Sequence, residues 1–241
     1  AAAAVAGLWR LPWLDIATAA ATGLLIGLLD QYTSPRPAMK EASDALAALI
    51  AGAVISLVAA LVGPLNLNTV VIASLVVLLP GMAITNAMNE LSSQHWVSGT
   101  VRFAGALTTV MKLTVGAIIA IEILGIMGLE PQVRAARPQP EWVEWSAMVL
   151  AAFAFAVLFK ASRRDYPWVM GAAIAGYLIA RFAGQAWGSP AGIFLSALAL
   201  TAAIGVVRFP DTLSRMHSAT KPQVLGLLLV LGGAAIRLSG H

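Results

Sequence analysis

Apolar runs of about 17 to 25 residues, each closed by charges, prolines or glycines, recur along the whole chain, and they dictate the solvent it folds in. A helix needs that many residues to cross roughly 30 Å of hydrocarbon at about 1.5 Å per residue. Alternating segments of about 10 residues, the pattern of a membrane barrel, are absent. With 59% hydrophobic and 11% charged residues over 241 positions, too little polar side chain exists to coat a water-soluble globule. The expected fold is all-α, a polytopic transmembrane helix bundle embedded in the lipid bilayer.

About eight spans are expected. They fall near residues 13–30, 45–63, 68–88, 101–127, 142–160, 167–184, 189–207 and 222–238. Gly63-Pro64-Leu65-Asn66 is a tight turn that makes the second and third a hairpin. Residues 129–141, LEPQVRAARPQPE, carry three prolines and mixed charge. They form a linker loop between a first membrane half, 1–128, and a second, 142–241. No sequence repeat relates the halves, although a structural repeat need not show in one sequence.

Connections after the first, third, fifth and seventh spans hold Arg36, Lys40, Arg102, Lys160, Arg163, Arg164, Arg208, Arg215 and Lys221. The opposite connections hold Arg10, Arg134, Arg137 and Arg237. Short basic loops stay in the cytoplasm, which places both termini outside. The net charge of +4 therefore reports membrane orientation, and nucleic acid is not expected as a partner. The opening AAAAVAGLWRLPW lacks a methionine and a basic region ahead of a cleavage site, so it reads as a fragment or a processed start and not as a signal peptide.

Chemistry concentrates in Leu78-Leu79-Pro80-Gly81-Met82-Ala83-Ile84-Thr85-Asn86-Ala87-Met88-Asn89-Glu90. Pro80 lacks a backbone donor and would free the Val76 carbonyl, and Gly81 adds local freedom, so the third helix is expected to break here. Irregular backbone at membrane depth is tolerated where it is buried or lines a cavity. Thr85, Asn86 and Asn89 follow one and two turns later and would suit a zwitterionic or hydroxylated solute. The other reading is a packing kink with asparagines capping the helix at the interface.

Lys112 stands among Thr108, Thr109 and Thr114 near the middle of the fourth span, at a depth similar to Pro80. An ionisable residue inside the membrane is read first as functional. It would hold a solute carboxylate or respond to coupling protons; alternatively it snorkels or is neutralised by a structural partner. Glu122 and Arg181, toward the outer ends of their helices, are candidates for a pair. Asp15 and Asp44, near span ends, are expected to face headgroups. Trp96, Trp142, Trp145, Trp168 and Trp187 sit at span boundaries, as interfacial aromatics do. Between the last two spans, Asp211 and His217 would shuttle protons or simply belong to a basic cytoplasmic turn.

Cysteine is absent, which removes disulfides and thiolate chemistry. The histidines, His95, His217 and His241, are too scattered for a metal site. No nucleophile elbow or nucleotide-binding glycine motif is present, so neither an enzyme nor a cofactor is expected.

The LLPGMAITNAMNEL stretch, the VSGTVRFAGAL that follows it, and the Arg-rich turn leading into YPWVMGAAIAGYL resemble the membrane portion of the threonine/serine exporter (ThrE-like) family, over about residues 13–205. The resemblance implies export of small amino acids, driven by a gradient of H+ or Na+, at the bacterial inner membrane. Pro80, Gly81, Thr85, Asn86, Asn89 and Lys112 would then shape the solute path, with Glu122, Arg181, Asp211 and His217 as candidates for ion coupling. Family members carry a soluble hydrolase-like region ahead of the first membrane helix, and the first span here is similar to the family's second. The Pro-Gly motif expected near a late helix of the second half is not found.

Residues from about 195 to 241, with GVVRFPDTLSRMHSATKPQVLGLLLVLGG, resemble the small G-type component of Mrp-type sodium/proton antiporters. That resemblance implies an accessory role alongside other membrane subunits. Together they allow three readings: an exporter, with a homo-oligomer as one assembly; an accessory antiporter component; or an inactive fragment or chimera.

Overall fold

The computed structural model describes residues 1–40, 42–133, 138–158 and 161–208, and every regular element among them is a helix. The protein is an all-α membrane helix bundle. It divides into two units, Ala1–Ala151 and Ala152–His241. Among the described residues, five helices are long and apolar enough to cross a membrane, or six spans when one bent pair is counted as a span. The expected span at 222–238 lies outside the described residues.

The first unit begins with a helix that the apolar pattern does not announce, α1 (Ala2–Leu8), too short to register as a span. It folds back on α2 (Trp13–Thr33), with Ala2 against Gly23, so close that a Cβ on Gly23 would lie 2.6 Å from Ala2 Cβ. A short α3 (Pro37–Lys40) leads to α4 (Ser43–Leu61). The tight turn then delivers α5 (Leu67–Leu75), extended by a 3-10 turn at Val76–Leu78. Beyond the break come α6 (Gly81–Ser92) and α7 (Trp96–Ile126). The last helix to begin in this unit is α8 (Glu141–Leu158).

Hydrogen bonds gather the connections of the first unit at one end. The Leu65 N–H donates to Gln132 O at 3.0 Å, Gln132 N–H to Ala59 O at 3.3 Å, and Gln139 N–H to Arg10 O at 2.8 Å. Arg10 returns a side-chain bond from Nε to Gln139 O. Trp13 and Trp142 face each other with ring centroids 6.0 Å apart. The loops after α4 and α7 and the start of α2 thus lie together, as alternating spans require.

Helices α4 and α7 cross through small residues. A Cβ on Gly52 would lie 2.7 Å from Ala117 O and 2.8 Å from Ala120 Cβ; one on Gly116 would lie 2.8 Å from Ala45 O and 2.9 Å from Ala48 Cβ. Because Ala45 and Ala48 meet Gly116 while Gly52 meets Ala117 and Ala120, the two helices run parallel. Close backbone approach of this kind is how helices associate in lipid, where van der Waals packing replaces the hydrophobic drive.

In the second unit, a 3-10 turn at Arg163–Asp165 opens α9 (Tyr166–Trp187), and α10 (Ser189–Arg208) returns antiparallel along it. Gly188 turns the chain at φ 91°, a conformation glycine adopts without strain. Gly192 packs against the Ala180 carbonyl and Gly184, and Ser196 Oγ donates to Gly176 O at 2.7 Å.

Candidate functional site

Pro80 breaks the third apolar run. The segments Leu67–Leu78 and Gly81–Ser92 meet at 65°. Leu79 is extended, at φ −63° and ψ 127°. Pro80, at φ −79° and ψ 48°, centres an inverse γ-turn in which Gly81 N–H donates to Leu79 O at 2.8 Å. The Val76 carbonyl, expected to be free, instead accepts from Leu79 N–H at 3.4 Å, because the last turn tightens to 3-10 geometry. The 12 residues from Leu67 to Leu78 are fewer than the 19 of α4 beside them, so the chain bends before it reaches the level where α4 begins.

Past the break, α6 lies along the first half of α7 as an antiparallel hairpin. Gly99 admits Leu91, which would sit 2.7 Å from a Cβ there. Arg102 Nε pairs with Glu90 Oε1 at 2.7 Å. The turn is a Schellman closure: Gln94 adopts φ 65°, its N–H reaching Leu91 O at 3.2 Å while His95 N–H reaches Glu90 O at 2.9 Å. Thr85 Oγ1 donates to Gly81 O at 3.0 Å, and Asn86 and Asn89 are exposed on α6.

The 31 residues of α7 make it about 46 Å long at 1.5 Å per residue, well beyond the hydrocarbon thickness. Since Gly116 faces the first turns of α4, Lys112, one turn earlier, is level with the start of α4. It is half-buried and engaged in a contact. Lys112 lies in the middle of α7, as its place in the apolar run predicts, but the middle of a 31-residue helix need not be the middle of the membrane. Lys112 thus sits at the base of the α6–α7 hairpin.

Glu122 is exposed near the end of α7, in the first unit, and Arg181 is half-buried on α9, in the second. Asp211 and His217 lie outside the described residues. Trp96, Trp142, Trp145, Trp168 and Trp187 are exposed near helix ends. Among the described residues, no cluster of His, Cys, Asp or Glu could hold a metal ion.

A polar stripe inside the first unit escaped the sequence reading. Asp15, expected at the headgroups, is fully buried, and its Oδ2 accepts the Asn66 N–H at 3.3 Å. Thr18 and Thr22 follow on the same face of α2 and are also buried. Ser56 on α4 and Ser74 on α5 are buried in the helices packed around it. The hydroxyls of Thr22, Ser56 and Ser74 find no protein hydrogen-bond partner among the described residues. The available signal was the spacing i, i+3, i+7 of residues 15, 18 and 22.

Helices of spanning length, with one apolar pair bent by 65°, define the class as a polytopic helical membrane protein. Residues 1–124 match the family model described as "Putative threonine/serine exporter", and the chain belongs to that exporter family. Residues 192–241 match a second family model, described as "Na+/H+ antiporter subunit". The exporter match covers α1 to α6 and most of α7, hence both the broken span and the buried polar stripe. No curated protein and no solved structure matches the chain.

Proposed function

We propose that this protein exports small amino acids, threonine and serine, across the bacterial inner membrane at the expense of an ion gradient, without enzymatic chemistry. The observation that carries the reading is the 65° break at Pro80–Gly81 within the stretch matching the exporter family. A break in a spanning helix presents backbone dipoles and polar side chains where an intact helix would present only an apolar surface.

In this reading Pro80 and Gly81 hold the bend, and Thr85, Asn86 and Asn89 on the hairpin beyond it offer neutral hydrogen-bonding groups to a hydroxylated amino acid. Lys112, at the base of that hairpin, pairs with the solute carboxylate. Glu122, Arg181, Asp211 and His217 are the ionisable candidates for coupling. Proteoliposomes loaded with a panel of amino acids and given proton or sodium gradients test the reading: threonine and serine leave faster than from protein-free liposomes, and uncharged bulky amino acids do not.

The match of residues 192–241 supports a second reading, an accessory component of a multisubunit cation/proton antiporter. It predicts co-purification with other membrane subunits and no amino-acid flux from the isolated chain.

A further inference from the structure

The buried stripe on α2 points to a site that the solute path does not use. Helices α2 and α5 start at the same end of the first unit, tied there by the bond from Asn66 N–H to Asp15 Oδ2. Counting down both from that bond, Thr22 is seven residues below Asp15 and Ser74 eight below Asn66, so the two hydroxyls share a level, about 10 to 12 Å deeper. Ser56 lies five residues below Leu61 on antiparallel α4, about one turn shallower. Thr18, with its hydroxyl donating to Leu14 O at 2.7 Å, stands between the carboxylate and this layer.

Such an arrangement is costly unless something occupies it. Thr22, Ser56 and Ser74 are at most 1% exposed, and their hydroxyls lack protein partners among the described residues. A hydroxyl buried without a hydrogen bond costs on the order of 1–3 kcal/mol. Hydroxyl and carboxylate oxygens are ligands for small hard cations, and the same groups with intervening water relay protons.

We propose that Asp15 binds the coupling cation, H+ or Na+, and that Thr18, Thr22, Ser56 and Ser74 carry its path into the membrane. The proposal rests on the exporter reading for its purpose but not for its test. Other ionisable groups described toward the same end of the unit are Arg10 before α2, Glu122 near the end of α7, Glu130 in the loop after it, and Glu141 and Glu144 at the start of α8. Helix α5 brings none; α1 brings the α-amino group of Ala1, beside the level of Thr22 because Ala2 packs on Gly23; and the one acidic residue of α4, Asp44, lies at the opposite end.

The test is thermal unfolding of the purified full-length chain in detergent, because a cation that binds only the folded protein raises its midpoint. Sodium is varied against choline at constant ionic strength in one arm, and pH in the other. The wild-type midpoint rises with sodium or with acidification, which distinguishes the two cations, and Asp15→Asn abolishes that response. Should Asp15→Asn fail to fold, Thr22→Val combined with Ser74→Ala takes its place and raises the half-saturating cation concentration at least several-fold. A wild type whose midpoint follows neither cation overturns the proposal, as does a folded Asp15→Asn, or the double variant in its place, that responds like the wild type. Threonine efflux from the same preparation reports separately on the exporter reading, so the two can fail independently.

Discussion

Arg102 Nε lies 2.7 Å from Glu90 Oε1, joining the end of α6 to the first turns of α7 across the turn at Gln94. The arginine side chain is 58% exposed and the glutamate 27%, so the pair positions the hairpin more than it stabilises it. What shapes the hairpin is its backbone: the left-handed turn residue and the close approach of Gly99 to Leu91.

Gln94 occupies φ 65°, where a side chain costs about 1 kcal/mol relative to glycine. Gln94→Gly should therefore raise the stability of the hairpin by roughly 0.5–1 kcal/mol. Amide hydrogen exchange over residues 85–105 is the measurement: slower exchange is expected, and faster exchange would contradict the turn geometry.

Gly116→Leu places a side chain against the Ala45 carbonyl and Ala48, where even a Cβ is too close. The expected cost is about 1–3 kcal/mol, the usual range for overpacking, read as a lower unfolding midpoint in detergent. Gly105→Leu is the control, since a Cβ there meets nothing within 4 Å. Equal destabilisation by both variants would rule out the α4–α7 crossing.

Much of this fold was legible because a bilayer enforces it. The apolar runs located α2, α4, α8 and α9 within a few residues, and Pro80-Gly81 announced the break. Three features were not legible, each for a physical reason. Helix α1 has only 7 residues and gains its burial from packing on α2, which no local pattern records. The level of Lys112 against the start of α4 shows only in the contact of Gly116 with that helix. Asp15 looked interfacial because an acidic residue in the first turn of a helix usually is. Its burial depends on the α4–α5 turn folding over it, a tertiary event 51 residues away in sequence.

Pro80→Ala tests whether the bend matters for transport. Alanine restores a backbone donor and removes the ring that excludes a continuous helix, so α5 and α6 are free to straighten. Threonine efflux should fall about tenfold or more, equivalent to roughly 1.4 kcal/mol, while the folded fraction in detergent is preserved. Undiminished efflux would show that the break serves packing alone.

The central claim is that this chain moves small hydroxylated amino acids, and one measurement addresses it without intermediaries. Purified protein is reconstituted into liposomes loaded with labelled threonine, an inward proton or sodium gradient is imposed, and efflux is followed for the wild type, Asn86→Ala and Lys112→Ala. The predicted result is wild-type efflux that stops when the gradient is collapsed and that falls about tenfold in each variant. Efflux indistinguishable from protein-free liposomes, with the protein folded in the membrane, would contradict the exporter account.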